Sequence, residues 1–170
     1  MPATYEPIAS TTVSSATASI TTSNIPSTYT DLIIVCRAGT SYGDNQVWTM
    51  RFNSDTGSNY SMTRLGGDGS SAYSDRWTSQ TSIDAGFLPT GGLGTSIIQV
   101  QSYANTNVNK TSLIAIETQA STSGNSGRKY VARQVGLWRS TAAITSVTFA
   151  FTNNMVSGSS VSLYGIKASA

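Results

Sequence analysis

Leu32, Ile33, Ile34, Val35 and Cys36 stand unbroken between Asp31 and Arg37, and no other stretch of the chain is so uniformly apolar. Pro26 and Ser27 precede the run; Ala38, Gly39 and Thr40 follow it. A short run rich in branched side chains and bounded by turn residues reads as a β-strand covered on both faces. A helix is disfavoured, because the run is brief and no apolar repeat at helical spacing continues past it. The expectation is a central strand around which the others pack.

Elsewhere polar and apolar residues alternate. Residues 16–22 and 47–52 do so, and in 111–118 Leu113 and Ala115 oppose Ile114 and Ile116. Further extended segments are expected at 60–65, 77–83, 96–101, 130–138, 144–151 and 160–166. Turns rich in Gly, Asn, Asp and Ser separate them, including 43–45, 66–71 and 89–94. About ten short strands so spaced predict an all-β, single-domain β-sandwich of jelly-roll type, with an up-and-down barrel as the alternative. That domain is expected over 15–170. Residues 1–14, with Pro7 and many small polar side chains, are expected to form an extended arm or an edge strand.

Composition supports an ordered β protein. Charged residues are only 11% and hydrophobic ones 38%, yet three Trp, eight Tyr and four Phe supply large apolar area that disordered chains lack. A net charge of +2, with basic residues scattered apart from Arg128, Lys129 and Arg133, argues against a nucleic-acid partner. No segment approaches the length of a membrane span. The opening residues 1–6 lack the basic start and apolar core of a signal peptide, so a soluble protein made in a cytoplasm is expected. Cys36 is the single cysteine, and its place inside the apolar run makes it a packing residue.

The chain contains no histidine, which removes serine triads, cysteine–histidine dyads and histidine-ligated metals. Its eight carboxylates are Glu6, Asp31, Asp44, Asp55, Asp68, Asp75, Asp84 and Glu117. Asp75 and Asp84 illustrate a pair from which a glycosidase could be built, but turn chemistry accounts for each of the two, so no enzyme is expected. Asn53, Asp55 and Asn59 around Gly57 have the alternating oxygens of a calcium loop without its downstream bidentate Glu. A turn held by side-chain hydrogen bonds is the favoured reading there, and no cofactor is expected. Tyr42, Tyr73 and Trp77 could stack on sugars, although core packing or a subunit interface is the commoner fate of such rings.

Four segments together resemble small virion structural proteins of tailed phages, those of cyanophages and other aquatic phages in particular. They are residues 51–61 (RFNSDTGSNYS), 136–140 (GLWRS), 163–166 (LYGI) and the opening 5–9 (YEPIA). The resemblance implies a β-sandwich displayed on a particle, cementing the capsid or forming a fibre or spike module. It implies the major capsid protein or other virion proteins as partners, a closed homo-oligomer with a trimer as first expectation, and a location on the capsid surface. The interface residues expected are Tyr5, Pro7, Ile8, Arg128 and Tyr130. The rival expectation is a receptor-binding module that uses residues 71–77 or 121–129 on host glycans.

Overall fold

The computed structural model describes residues 5–41, 46–88, 92–118 and 130–167. Among these the chain forms twelve strands. The first six are β1 (Tyr5–Thr12), β2 (Thr17–Thr22), β3 (Asp31–Ala38), β4 (Gln46–Phe52), β5 (Tyr60–Gly67) and β6 (Ala72–Gln80). The rest are β7 (Ile83–Leu88), β8 (Gly94–Gln101), β9 (Lys110–Thr118), β10 (Val131–Trp138), β11 (Val147–Met155) and β12 (Ser160–Ile166). They build two antiparallel sheets, one of eight strands in the order β1-β12-β3-β8-β9-β10-β5-β6 and one of four in the order β2-β11-β4-β7.

The pairing is nested. β1 pairs with β12, β2 with β11, β3 with β8 and β4 with β7, so the first half of the chain folds back along the second. With β12 also against β3, and β11 against β4, this is the wrapped order of an eight-stranded jelly roll. The remaining strands arrive as two insertions, β5–β6 after β4 and β9–β10 after β8. β9 pairs with β8, β10 with β9 and β5 with β10, so all four extend the same sheet. The large sheet is therefore twice as wide as the small one.

Two expectations are corrected. Residues 77–83, read as one strand, are the end of β6, a turn at 81–82 and the start of β7. β3 is central as expected, but only one of its faces is fully buried. Leu32, Ile34 and Cys36 point into the core at 0–1% exposure, whereas Ile33 and Val35 are only partly covered. The reason is topological: β3 lies in a two-layer sandwich, and among the described residues no third layer covers the outer side of its sheet. β1 lies at one edge of the large sheet. Tyr5–Thr12 pairs with β12 along its length, and Glu6 ties it down by accepting from Lys167 Nζ at 2.9 Å and Tyr29 Oη at 3.2 Å. The turn at 43–45, Tyr42, the 89–91 part of the Gly-rich loop and the whole loop 121–129 with Arg128 lie outside the described residues.

The core fills the space between the sheets. Trp48 packs against Phe149 and Phe151 at centroid distances of 5.5 and 5.7 Å; Trp138 packs against Phe52 and Tyr60 at 5.6 and 6.3 Å. Rings of this size each bury a large apolar area, which a chain of low hydrophobic content needs. Gly86 shows how tightly the layers meet: a Cβ there would lie 2.0 Å from Trp48 Nε1 and 2.4 Å from Ser96 Oγ. Cys36, fully buried and free, is core filler, and burial pushes its thiol well above the ordinary range.

Candidate functional site

Side chains alternate across a strand, so the register of the large sheet dictates its outer face. One row runs Ile33, Gln99, Leu113, Val135 and Thr63 across β3, β8, β9, β10 and β5. The next runs Val35, Ile97, Ala115, Arg133 and Leu65, and a third runs Arg37, Thr95, Glu117 and Val131. Leu65 is 64% exposed, Val131 63%, Ile97 49%, Val135 45% and Leu113 42%. Leu65, Ile97, Leu113 and Val135 line a shallow groove of about 500 Å³ together with the small Ala115, and Val131 lines an adjoining one of about 260 Å³ with Ile97 and Ala115. A contiguous apolar surface of this kind on a folded protein marks a place where something else binds.

The polar side chains of these rows are Thr63, Gln99, Arg133, Arg37, Thr95 and Glu117. Arg133 pairs across the ladder with Ala115, and Glu117 with Val131, so the two charges are diagonal neighbours. Diagonal cross-strand neighbours are roughly 7–8 Å apart, and among the described residues neither Arg133 nor Glu117 has an ion-pair partner.

A second cluster lies on the inner side, where β5 and β6 meet β7. Arg64 is only 8% exposed; its guanidinium sits 4.7 Å from the Trp77 ring, 4.9 Å from Phe87 and 5.4 Å from Tyr73, and its Nη2 donates to Asp75 Oδ2 at 3.1 Å. Such cation–π packing staples the outermost hairpin of the large sheet to the edge of the small one. The Asp84 backbone carbonyl accepts from Gln134 Nε2 at 2.6 Å, and burial pushes the Asp84 carboxyl up despite the opposing pull of Arg64. The structure thus brings Asp75 and Asp84 to one cation, and the partners on view there are packing partners. Tyr73 and Trp77, weighed above as sugar platforms, lie on β6 and turn inward onto Arg64.

The oxygens of the 53–59 turn serve internal donors. Asn53 Oδ1 accepts from the amides of Thr145 and Ser146 at 2.8 and 3.1 Å, and its Nδ2 donates to Ala143 O at 2.8 Å. Asp55 accepts from Gly57 N, Asn59 Nδ2 and Trp138 Nε1 at 2.8, 2.9 and 2.6 Å, which holds its carboxyl below the usual carboxylate range. Asn59 therefore offers its amide nitrogen, not its oxygen, toward Asp55. Asn53 and Ser54 both have φ near +50°, the conformation of a type I′ turn, which Asn tolerates well. The segment is a strand connector that anchors the loop before β11 and the Trp138 indole.

Of the expected interface residues, Arg128 lies outside the described residues, and the other four are spread over the edge of the large sheet and the start of β10. Tyr5 and Pro7 are exposed on the outer edge strand, Ile8 sits at a bulge in β1 and packs on the core, and Tyr130 stacks on Phe87 at 5.1 Å. The apolar face was not among the sequence expectations, although its signal was present. In an alternating protein, the runs 32–36, 97–98 and 113–116 are apolar at consecutive positions, which places apolar side chains on both sides of a strand. No known protein family, curated protein sequence or solved structure matches the chain.

Proposed function

We propose that the chain is a non-enzymatic structural protein of a phage virion that decorates or cements the capsid surface as an oligomer. The observation that carries this reading is the apolar outer face of the eight-stranded sheet. A protein whose widest surface is apolar and only sparsely charged is built to be covered by another protein. The jelly roll adds a fold-level analogy, since that architecture recurs in viral shells, though it recurs in lectins too. The segments that resemble phage virion proteins point the same way. The major capsid protein is the partner this reading implies.

The test is the position and copy number of the chain in purified virions, by quantitative mass spectrometry and particle reconstruction. Copies on the order of hundreds, spread over the shell, are expected of a capsid protein that follows the shell's symmetry. A few copies confined to the tail, with binding on a glycan array, would replace the reading by a receptor-binding module. Absence from virions, or hydrolysis of a polysaccharide, would sink it altogether.

A further inference from the structure

The apolar face has three properties that together select its occupant. Its size comes first. The face spans five strands, β3, β8, β9, β10 and β5, each eight or nine residues long, with most of its apolar side chains in the middle rows. At roughly 4.8 Å between strands and 3.3 Å per residue, that is a surface of about 24 by 26 Å, on the order of 600 Å² in projection. A stable protein interface buries about 800 Å² of accessible surface per partner, which a side-chain-covered surface of that projection supplies.

Its shape comes second. Leu65 and Val131, the most exposed apolar side chains, stand beside the depression over Ala115. Knob and hole lie on the same face, which is what a contact between two identical surfaces requires.

Its charge comes third. Arg133 and Glu117 are equal and opposite, exposed, diagonal to one another and without ion-pair partners among the described residues. A twofold axis lying in the plane of the face and midway between them lays each Arg133 over the other copy's Glu117. The two ion pairs so formed complete both charges at once. Arg37, the third charge on the face, lies two strands from Glu117 in the same row and outside these pairs.

We infer that the occupant of this face is a second copy of the chain, and that the protein forms a twofold dimer by packing the two eight-stranded sheets face to face. The inference rests on reading the outer face as an interaction surface, and it replaces the threefold expectation at this face. Face-to-face packing of β-sheets with interdigitating apolar side chains is the same arrangement that builds the interior of the sandwich. Leu113 and Val135 then sit inside the interface, while Arg133 and Glu117 fix which way round the copies meet.

The test is made on the purified chain alone by sedimentation equilibrium over a micromolar concentration series. Wild type is expected to be a dimer, and Leu113→Lys a folded monomer by circular dichroism. Arg133→Glu and Glu117→Arg each place like charges opposite one another and are expected to weaken the dimer roughly a hundredfold. Mixed in equal amounts, the two variants are expected to associate at least as tightly as wild type, because the two carboxylates at positions 133 and 117 of one copy then meet two guanidiniums of the other. Recovery on mixing cannot come from a repair within one chain, and it shows that both variants are folded. A wild-type monomer at every concentration, a trimer indifferent to Leu113→Lys, or a mixture that stays monomeric overturns the inference. A monomer whose Leu113→Lys variant no longer attaches to virions also overturns it, while leaving the proposed function intact. A dimer that is missing from virions does the reverse.

Discussion

On the outside of the four-stranded sheet, Thr21, Thr148 and Arg51 form one row and Ser19, Ala150 and Thr49 the next. Thr21 and Thr148 bond hydroxyl to hydroxyl across the ladder at 3.0 Å. The middle rows on the eight-stranded sheet are Ile33, Gln99, Leu113, Val135, Thr63 and Val35, Ile97, Ala115, Arg133, Leu65, with Thr63 the one hydroxyl among them. Both surfaces are β-branched and pleated, so backbone preference does not separate them. The difference is hydroxyl against methyl, which is the difference between a face that stays wet and a face that is to be covered. The same contrast appears inside the large sheet. In the row of Val35, Ser10 and Ser162 at the β1–β12 border share a hydrogen bond of 2.9 Å, and the apolar side chains of that row begin at β3.

The sharpest way to probe this contrast is across a single strand. Ile114 is 1% exposed on the inner side of β9, and Leu113 is its 42%-exposed neighbour on the outer side. Ile114→Ala is expected to cost about 2–5 kcal/mol, read as a large fall in Tm. Leu113→Ala is expected to change the stability of the monomer by under about 1 kcal/mol while weakening association. Equal losses of stability would erase the distinction between a core face and a docking face.

The next effect concerns the support beneath the β5 corner of the apolar face. Arg64→Ala removes the cation from three rings and leaves Asp75 unpaired. With Asp75 38% exposed and its charge partly screened, a loss of about 2–3 kcal/mol is expected in urea titration. Faster amide exchange along Ala72–Gln80 should accompany it, and unchanged exchange there would rule out the staple.

A charge placed on each outer face makes a smaller but more discriminating pair. Thr148→Lys and Val135→Lys are both expected to shift stability by no more than about 0.5 kcal/mol. Only the second should abolish self-association. If Thr148→Lys disrupts association as well, the small sheet is also an interface.

The smallest effect is with acid. Asp55 has a lowered carboxyl pKa, so its contribution to stability is present above the ordinary value and lost as pH falls through the folded one. Tm should therefore drop from about pH 4 downward, and Asp55→Asn should flatten that part of the profile. Asp55 belongs to neither outer face, so association of wild type above that range should not follow its titration.

Strand positions and the two-layer architecture were legible because period-2 alternation is a local property. So were the burial of Cys36 and the turn character of residues 53–59. Arg64 was illegible for the opposite reason: its partners Trp77 and Phe87 lie on β6 and β7, and only the pairing of β5 with β6 and the packing of β7 bring them together. The docking face lay between these cases. Its residues were visible as consecutive apolar positions, but the run at Leu32 to Cys36 was taken to mean two covered faces. A sequence shows that both sides of a strand are apolar; it does not show whether the second cover belongs to the same chain.

The nested pairing has a consequence for how the chain reaches this state. β3, with its five apolar residues, gains its neighbours only from β8 and β12, and β1 must wait for β12. Closing such loops before any contact rewards them makes folding slow, in the range of milliseconds to seconds or longer. During synthesis the first four strands emerge with edges open and no sheet to join. A chain that meets its own copies at this stage risks pairing strand with strand instead of face with face. The serine- and threonine-rich strands β1 and β2, the first to emerge, are then the safest ones to leave waiting.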